Sequence, residues 1–595
     1  MDQQNRNLIL ASVLSLLVII IWYALFPPPA PQPIDGTQAA PSQTDTLAPT
    51  VAATAQDTTQ AAVDIVENTA GTVAIATDRL SGHISLQGGR VNELFLSDYT
   101  TTLDEDADIV QLLSPYGADG GYYAVYGWVP VAGVGAQDVP SPNTIWTLSK
   151  GIELTPQSPV QLSWDNGKGL TFLRDVSVDE NYMFTITQSV LNTTNDTIEL
   201  APYGILARHG EPQDLKNFFV LHEGMVQMAD GNLTETDYDN MVDYDFNAKE
   251  RAQAETSQVE SNGWIGFTDH YWMTTLIPAP GQAHKAVSKY DPARDLYQVE
   301  TVMPRMSVAA GQTATMTSGL FAGAKEWEAI RDYENDGIQG FVDSIDWGWF
   351  FFLTKPIFKA LHFFNGLIGN MGWSIILLTL AIKAILLPLA YKSYVSMAKM
   401  KNLQPQMEEL REKTKGDQQK MQQEMMALYK RENVNPAAGC LPILVQIPIF
   451  FSLYKVIFVT LELRHAPWLG WITDLSAPDP SSILNLFGLL SYAPPSPDSL
   501  LAFVSLGILP ILLGISMWLQ QKLNPTPTDP TQAMIFAWMP WVFMFMLGSF
   551  ASGLVLYWIA NNTITFMQQY AIMASQGSRP DLFGNILGKN KQPKK

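Results

Sequence analysis

The sequence of 595 residues contains a single cysteine, so no internal disulfide can stabilise any part of the chain. Histidine is also scarce, and His209, His222, His270 and His284 lack the spacing of metal ligands. A zinc-binding or catalytic role for these histidines is therefore disfavoured. We expect no metal and no other cofactor.

Basic residues are scarce in one long part of the chain. Residues 27–344 contain 43 acidic and 15 basic side chains, a net charge of −28, whereas the remainder carries +7. The remainder also contains the long apolar runs. This separation is typical of a membrane protein whose basic segments stay in the cytoplasm while an acidic domain is exported. It also argues against nucleic acid as a main partner of the acidic domain.

Carboxylates are missing from the long apolar runs, although one run contains a lysine. Residues 372–391, GWSIILLTLAIKAILLPLAY, are long enough for a helix to cross a hydrocarbon core of about 30 Å. Burying Lys383 inside that helix costs roughly 2.5–3.5 kcal/mol, so its charge should face protein or water. Thr379 lies one turn earlier, and we expect its hydroxyl beside the ammonium group.

Two interpretations of Lys383 remain open. The other apolar runs contain no Asp or Glu, and Glu462 lies only at the edge of one of them. Lys383 is then either a structural residue satisfied by carbonyls and water, or part of a site whose ligand supplies the negative charge. We favour the second interpretation, because an intramembrane cation usually has a function.

The N-terminal part is predicted to be an anchor followed by a tether. Residues 8–26 are apolar and end near Trp22 and Tyr23, which suit a membrane interface. The length of the run and the prolines after it argue against a cleaved signal peptide, so residues 1–26 are interpreted as an uncleaved transmembrane anchor. Residues 27–64, rich in Pro, Ala, Thr and Gln, are predicted to form a flexible linker.

Short segments with alternating apolar residues follow and predict a large all-β domain. Residues 82–96, 170–191 and 301–321 alternate with the period of half-buried strands. We predict an antiparallel β-sandwich over residues 65–335, ending in a short helix at residues 325–334.

Two amphipathic regions flank the span that contains Lys383. Residues 347–364 are aromatic and basic, which predicts an interfacial helix within residues 345–369 leading into a transmembrane helix at 370–391. Residues 392–437 predict two helices joined at Gly416 and Asp417, and nine Lys and Arg place this hairpin in the cytoplasm. Its methionines are interpreted as packing residues, although flexible thioethers also suit varied apolar partners; they include Met400, Met407, Met421 and Met425.

Four further apolar spans lie within residues 438–575, at 441–461, 501–520, 534–550 and 552–573. Together with the anchor and the Lys383 span they predict six crossings. An even number of crossings places both termini on one side, and the basic tail at residues 576–595 makes that side the cytoplasm.

Polar residues inside these spans lie between the middle of the membrane and the cytoplasm. This asymmetry predicts a water-filled groove open to the cytoplasm, although hydrogen bonds between helices would explain single residues equally well. The groove candidates are Gln446, Asn561, Asn562, Thr565 and Gln568, together with Lys383 and Thr379. Lys455 lies near the outer end of its span, and we expect it to snorkel to the interface.

Several stretches resemble the YidC family of membrane protein insertases: VNPAAGCLPILVQIPIF, SYVSMAKMKNLQPQM, ELRHAPW and SGLVLYWIANNTITFMQQ. The likeness covers residues 347–575 and implies a helical membrane protein with a five-helix insertase core and a periplasmic β-supersandwich similar to sugar mutarotases. It implies no catalysis and a place in the inner membrane of a Gram-negative bacterium. The implied partners are nascent membrane proteins, the ribosome and signal recognition pathway, and the Sec translocon.

The resemblance also assigns residues. The groove cation of the family falls on Lys383, where arginine is more usual, and its essential threonine falls on Thr379. Its tyrosine pair falls on Tyr557 and Trp558, so the second hydroxyl is absent. A hydrophobic slide along the third and fifth spans, which core packing would explain nearly as well, is assigned to Pro442, Ile447, Pro448, Phe451, Met539 and Phe543.

Two other functions remain as alternatives. A secondary transporter would need paired ionisable groups and usually internal repeats, and neither is found in the sequence. A membrane-anchored periplasmic carbohydrate-binding protein would depend on the β domain rather than on Lys383.

Overall fold

The computed structural model describes residues 71–216, 221–414, 418–432, 434, 441–490, 492, 495, 499, 501, 504–524 and 530–577. The predicted anchor, the linker at residues 27–64 and nearly all of the basic tail lie outside the described residues, as do Gly416 and Asp417 of the predicted hairpin joint.

Twenty strands lie in the described part of the chain. They are β1 (Thr72–Ala76), β2 (Leu80–Ser85), β3 (Arg90–Thr100), β4 (Ile109–Leu113), β5 (Tyr122–Ala132), β6 (Thr147–Lys150), β7 (Val160–Asp165), β8 (Leu170–Val178), β9 (Met183–Asn192), β10 (Ile198–His209), β11 (Gly224–Ala229), β12 (Asn232–Asp237), β13 (Phe246–Asn247), β14 (Ala252–Val259), β15 (Gly263–Thr268), β16 (Trp272–Pro278), β17 (His284–Asp291), β18 (Leu296–Val302), β19 (Met306–Val308) and β20 (Thr313–Ala324).

The strands form two antiparallel sheets. The larger sheet has the order β1-β2-β3-β5-β10-β18-β17-β14-β13, with β4 paired to β3 and β19 to β10; the smaller has the order β12-β11-β15-β16-β20-β9-β8-β7-β6. Alternate residues of each strand enter the core between the sheets, as in β8, where Leu170, Phe172, Val176 and Val178 are buried. The predicted antiparallel β-sandwich is confirmed.

The sandwich core also contains a buried arginine that alternation alone would assign to an apolar residue. Arg174 of β8 is 2% exposed and donates to the carbonyl oxygens of Gly89, at 2.7 Å, and of Tyr126. Its guanidinium lies 4.6 Å from the ring centroid of Trp146. Desolvation lowers the pKa of Arg174 to about 10, and the carbonyl oxygens compensate for lost water.

Eleven α-helices lie among the described residues. They are α1 (Tyr238–Val242), α2 (Trp327–Asn335), α3 (Phe351–Ile368), α4 (Met371–Ile385), α5 (Leu387–Asn402), α6 (Gln404–Lys413), α7 (Gln418–Arg431), α8 (Leu441–Val459), α9 (Ile508–Gln521), α10 (Pro530–Met546) and α11 (Ser552–Ser575). Helix α4 packs against α3 and α11, α8 packs against α3, and α9 packs against α10 and α11.

The single helix predicted at residues 370–391 is instead broken into two. The chain bends by 69° between α4 and α5, two helices that together are long and apolar enough to cross a membrane. Pro388 lies in the first turn of α5, where the missing N–H costs nothing, and its ring disfavours a continuous helix through the preceding residues. Within the described residues, no single helix meets the requirements of length and hydropathy for a crossing.

The predicted first hairpin helix is also interrupted. It divides at Leu403, between α5 and α6, and Pro405 lies in the first turn of α6. Helices α6 and α7 pack through Leu403, Met407 and Leu428, with Met400 and Met425 partly buried beside them. Met421 is not a member of this apolar cluster.

The sandwich and the helices meet through polar contacts at the C-terminal end of α8. Lys455 is 5% exposed and forms an ion pair with Asp346, so it does not snorkel as expected. His270 donates from Nε2 to the carbonyl oxygen of Phe458 at 2.8 Å, and Arg464 donates to the carbonyl oxygen of Thr100. The pairing of Lys455 removes the need to reach water, because the countercharge comes from the segment that leaves the sandwich.

Candidate functional site

A cavity of about 300 Å³ lies among α4, α5, α8, α9 and α11, the helices that contain most of the predicted groove residues. Polar and aromatic side chains share its lining. The lining residues are Lys383, Tyr394, Met397, Gln446, Ile447, Phe450, Phe451, Gln520, Asn524, Trp558, Asn561, Thr565 and Gln569.

Lys383 is held in this cavity by a neutral partner. Its ammonium donates to Oε1 of Gln446 at 3.1 Å, and Nε2 of the same amide donates to the hydroxyl of Tyr557 at 2.9 Å. The amide is oriented by these two contacts, since only its oxygen can accept from the lysine. Throughout the described residues, no carboxylate forms an ion pair with Lys383. Its positive charge is therefore uncompensated within the described site.

Thr379 does not contribute the hydroxyl that the sequence led us to expect. It is 1% exposed, and its hydroxyl donates to the carbonyl oxygen of Ile375 at 2.7 Å. A threonine inside a helix commonly bonds back to the carbonyl four residues earlier, which turns the hydroxyl away from the next turn. Thr379 supports the helix next to Lys383 without lining the cavity.

The two adjacent asparagines of α11 have different surroundings. Asn561 lines the cavity, and its Oδ1 is buried with no hydrogen-bond donor among the described residues. Asn562 instead donates to the hydroxyl of Ser516 on α9 at 3.1 Å. Thr565 lines the cavity, and its hydroxyl donates to the carbonyl oxygen of Asn561 at 2.6 Å. Asn562 thus joins two helices, whereas Asn561 presents an acceptor to the cavity.

The glutamine of α11 that lines the cavity, far from the sandwich, is Gln569 rather than the predicted Gln568. Gln569 is 1% exposed and donates to Oδ1 of Asn524 at 3.0 Å. Gln568 lies on the neighbouring face, within 3.5 Å of the backbone oxygen of Lys383. The sequence analysis also missed Tyr394, in the middle of α5, and Gln520, near the end of α9; the only signal of each was its polar group.

Aromatic rings close the end of the cavity towards the sandwich. Trp558 stacks on Phe450 with ring centroids 4.9 Å apart, and Phe543 of α10 lies edge-on to Trp558 at 6.2 Å. Tyr557, the other member of the predicted aromatic pair, is 1% exposed beneath Gln446.

The predicted slide residues lie along α8 and α10. Ile447 and Phe451 are 46% and 39% exposed and also border the cavity. Pro448 lies inside α8, and Met539 and Phe543 are half-buried on α10. The side chain of Pro442 lies outside the described set. Leu444 on α8 and Trp538, Val542 and Met546 on α10 extend the exposed apolar surface.

No group of three or more His, Cys, Asp or Glu side chains that could hold a metal ion lies in the described part of the chain. The site offers one cation, amides, hydroxyls and aromatic faces. It can bind a negative or polar group, and it presents no arrangement of nucleophile and general base.

Residues 72–360 match the family model described as "YidC periplasmic domain", and residues 363–579 match the one described as "60Kd inner membrane protein". The chain is 62% identical to the membrane protein insertase YidC of Roseobacter denitrificans, over 99% of this chain and 98% of the relative. It is 63% identical to that of Ruegeria pomeroyi, over 98% of both. A crystal structure of an active YidC insertase with its first transmembrane domain resolved is 17% identical, covers 84% of this chain and 92% of its own, and gives a TM-score of 0.35.

Proposed function

Because the chain belongs to the YidC family of membrane protein insertases, we propose that it receives polar ends of nascent membrane proteins in the Lys383 cavity and releases their hydrophobic segments into lipid. Members of this family act on nascent membrane proteins in the bilayer and are not known as enzymes. The proposal concerns which residues of this chain do so.

The observation that carries the proposal is the uncompensated charge of Lys383. A buried cation that lacks a carboxylate partner attracts an acidic group from outside the protein. At about 4 Å, and with an effective dielectric constant of about 20, one such pair gains about 4 kcal/mol. The incoming carboxylate loses part of its own hydration in the site, so the net gain is smaller than this Coulomb energy.

The amides around Lys383 lower the free-energy cost of placing a polar substrate segment within the membrane. Backbone groups that enter a bilayer need hydrogen-bond partners, and each one left without a partner costs several kcal/mol. The Oδ1 atom of Asn561 is a buried acceptor to which no described residue donates. Gln520 and Asn524 line the same cavity. Such a surface can bind a short extended segment, whose backbone groups form hydrogen bonds either with the amides or with water.

Release into lipid is supported by the apolar surfaces next to the cavity. Ile447 and Phe451 face both the cavity and the exterior, so a substrate helix leaving the cavity meets them first. Trp538, Val542 and Met546 repeat every four residues along the exposed face of α10. We propose that α8 and α10 together form the slide.

We further propose an inner-membrane topology of six crossings with both termini in the cytoplasm. In this topology the Lys383 cavity opens to the cytoplasmic side, where proteins are synthesised. The hairpin of α6 and α7 then faces the cytoplasm. The expected partners there are the ribosome and the signal recognition pathway, and the expected partner within the membrane is the Sec translocon.

Reconstitution in liposomes tests this function. The substrate is a small single-span protein with an acidic tail, and the readout is protection of that tail from external protease. We expect Lys383→Ala to lower insertion, Lys383→Arg to retain it and Lys383→Glu to abolish it, because the charge acts through electrostatics. Full activity of the glutamate variant would refute the role of Lys383.

Lys522→Ala is the matched control. Lys522 follows α9, and its ammonium lies 5.5 Å from the ring centroid of Trp518, outside the cavity lining. Insertion should be unchanged in this variant. No insertion by the native protein in the absence of the Sec translocon would instead favour the transporter or carbohydrate-binding alternatives.

A further inference from the structure

The segment between α8 and α9 presents large apolar side chains to the outside of the protein. Its described residues 483–490 and 492 are called the apolar loop. The sequence contains no Asp, Glu, Lys or Arg between Asp479 and Asp498, so the loop carries no charge. Six of its large side chains are 41–84% exposed: Ile483, Leu486, Phe487, Leu489, Leu490 and Tyr492. A contiguous exposed apolar surface of this kind indicates a contact with lipid or with another protein.

The polar groups of the apolar loop are bonded within the loop. Asn485 is 7% exposed; its Oδ1 accepts the backbone N–H of Gly488 at 3.0 Å, and its Nδ2 donates to the carbonyl oxygen of Tyr492 at 3.3 Å. The carbonyl oxygen of Asn485 accepts the N–H of Leu490 at 3.0 Å, and the Tyr492 hydroxyl donates to the carbonyl oxygen of Leu484. The loop therefore has a polar interior and an apolar exterior.

Two of the exposed residues hold a backbone conformation that bulky side chains rarely adopt. Leu486 has φ 50° and ψ 44°, and Phe487 has φ 58° and ψ 38°, both in the left-handed region. A hydrogen bond from the N–H of Phe487 to the carbonyl oxygen of Ser482, at 2.7 Å, holds this conformation. Backbone strain of this kind is commonly tied to function, and a partner that covers both side chains would offset its cost.

Helix α9, which follows the loop, is too short to cross the hydrocarbon core. Its 14 residues span about 21 Å, whereas the core measures about 30 Å. The sequence predicts that this span starts at residue 501, but the helix begins at Ile508. Polar residues, Gln520, Gln521 and Lys522, occupy its C-terminal end, so the missing length of about 9 Å lies at its beginning.

The apolar loop is fixed beside this short end of α9. The N–H of Ile483 donates to the carbonyl oxygen of Leu506 at 2.8 Å. Just before the loop, the Asp479 carboxylate accepts the N–H of Leu509, in the first turn of α9, at 2.7 Å, and the indole N–H of Trp471 at 3.0 Å. These contacts keep the loop next to the place where the helix lacks apolar length.

Lipid fits the surface of the loop better than a protein partner does. Elements that lie in a membrane interface bury their apolar face about 5–10 Å into the boundary between headgroups and acyl chains, which matches the length missing from α9. Backbone groups at this depth need internal partners, and the bonds around Asn485 supply them. Protein interfaces usually carry hydrogen bonds between the partners, whereas the one polar group among the six exposed side chains, the Tyr492 hydroxyl, is already bonded within the loop.

We propose that the apolar loop enters the periplasmic leaflet of the bilayer and supplies the apolar surface that α9 lacks at this depth. This inference rests on the proposed topology, which makes the leaflet the periplasmic one. Because the loop is uncharged, it binds the acyl region rather than a particular headgroup.

Fluorescence quenching tests the proposal with the full chain in vesicles of phosphatidylcholine and phosphatidylglycerol. In a Cys440→Ser background, an environment-sensitive fluorophore is attached at Leu489→Cys, because Leu489 is 84% exposed. Ile152→Cys is the matched control: Ile152 is 88% exposed and follows β6, the last strand of the smaller sheet. Trp538→Cys, on the exposed face of α10, is the reference for a label in lipid.

The quenchers are a nitroxide on the lipid chain, placed near the headgroup or near the chain end, and iodide on both sides of the vesicle membrane. We expect the Leu489 label to resist iodide and to lose more fluorescence to the nitroxide near the headgroup than to the one near the chain end. The Ile152 label should respond to iodide alone.

Two results overturn the lipid contact while a Trp538 label quenched by nitroxide leaves the proposed function in place. One is a Leu489 label that iodide quenches as strongly as the Ile152 label. The other is a Leu489 label shielded from both quenchers, which would show that protein covers the loop. A Trp538 label that no lipid quencher reaches would instead refute the membrane topology on which the proposed function depends.

Discussion

Replacement of Lys455 by methionine is predicted to weaken the attachment of the β-sandwich to the membrane helices. Lys455 supplies the positive charge of a buried ion pair with Asp346. The Asp346 carboxylate also accepts the backbone N–H groups of His222 at 2.8 Å and of Gly348 at 3.0 Å. Methionine retains much of the packing volume of lysine but leaves this carboxylate without its countercharge.

The expected magnitude follows from the burial of both partners. Removing one member of a buried ion pair typically costs about 3–5 kcal/mol. Two backbone N–H groups still donate to Asp346 in the variant, so we expect a loss of stability at the lower end of this range, about 3 kcal/mol. For a domain of roughly 150–250 residues, each kcal/mol shifts the Tm by about 2–4 °C, so the sandwich should unfold roughly 6–12 °C lower.

A double-mutant cycle in lipid nanodiscs measures this coupling. Thermal unfolding of the sandwich is followed by circular dichroism of the β signal for Lys455→Met, Asp346→Asn and the double variant. We expect the double variant to lie within about 1–2 kcal/mol of the native protein, because a neutral pair leaves no buried charge. If both single variants unfold within 1 °C of the native protein, or the double variant is no more stable than Lys455→Met, the reasoning is refuted.

Two further predictions concern Gln446 and His222. Gln446→Glu places a carboxylate beside Lys383 and compensates its charge, so protection of an acidic tail in liposomes should fall as in Lys383→Ala; unchanged protection would show that the charge does not attract the substrate. Burial lowers the pKa of His222, but the hydrogen bond with Asp237, the charge of Glu235 and the hydrogen bond with the carbonyl oxygen of Met225 together outweigh burial and raise the pKa above 6.5. The protonated ring therefore stabilises the sandwich fully below pH 6.5, and this stabilisation is lost as the pH rises through the raised pKa. His222→Gln should remove that part of the pH dependence of unfolding, and an identical pH profile in the variant would contradict the assignment.

The sandwich could be predicted from local patterns because strand alternation depends on neighbouring residues alone. The predicted end of the alternating region, residue 324, is also the last residue of β20. The division of the Lys383 span had a local signal in Pro388, but a proline inside an apolar run is also compatible with a kinked continuous helix. The structure resolves this choice with a bend of 69°.

Several residues named from the sequence, including Lys383, Gln446 and Asn561, line the cavity, but other details of the site depend on contacts between helices. Gln569, which lines the cavity, is one residue from the predicted Gln568, a difference that corresponds to about 100° of rotation on a helix. The Lys455–Asp346 pair joins residues more than a hundred positions apart, so no periodicity indicates it. The Thr379 hydroxyl could either accept from the Lys383 ammonium or donate to the carbonyl oxygen of Ile375, and the sequence does not decide between these partners.

Helix α8 connects the Lys383 cavity with the sandwich, and its N-terminal and C-terminal halves are held by different partners. Gln446, near the N-terminal end, contacts Lys383 and Tyr557, whereas Lys455, near the C-terminal end, forms an ion pair with Asp346 beside the sandwich. Pro448 lies between them and removes one backbone hydrogen bond from the helix, so bending there costs less than elsewhere. A change in the attachment of the sandwich should therefore be absorbed partly at Pro448 before it reaches the Lys383 cavity. For this reason the loss of the Lys455 ion pair should lower the stability of the sandwich more than it lowers insertion, whereas loss of the Lys383 charge should do the reverse.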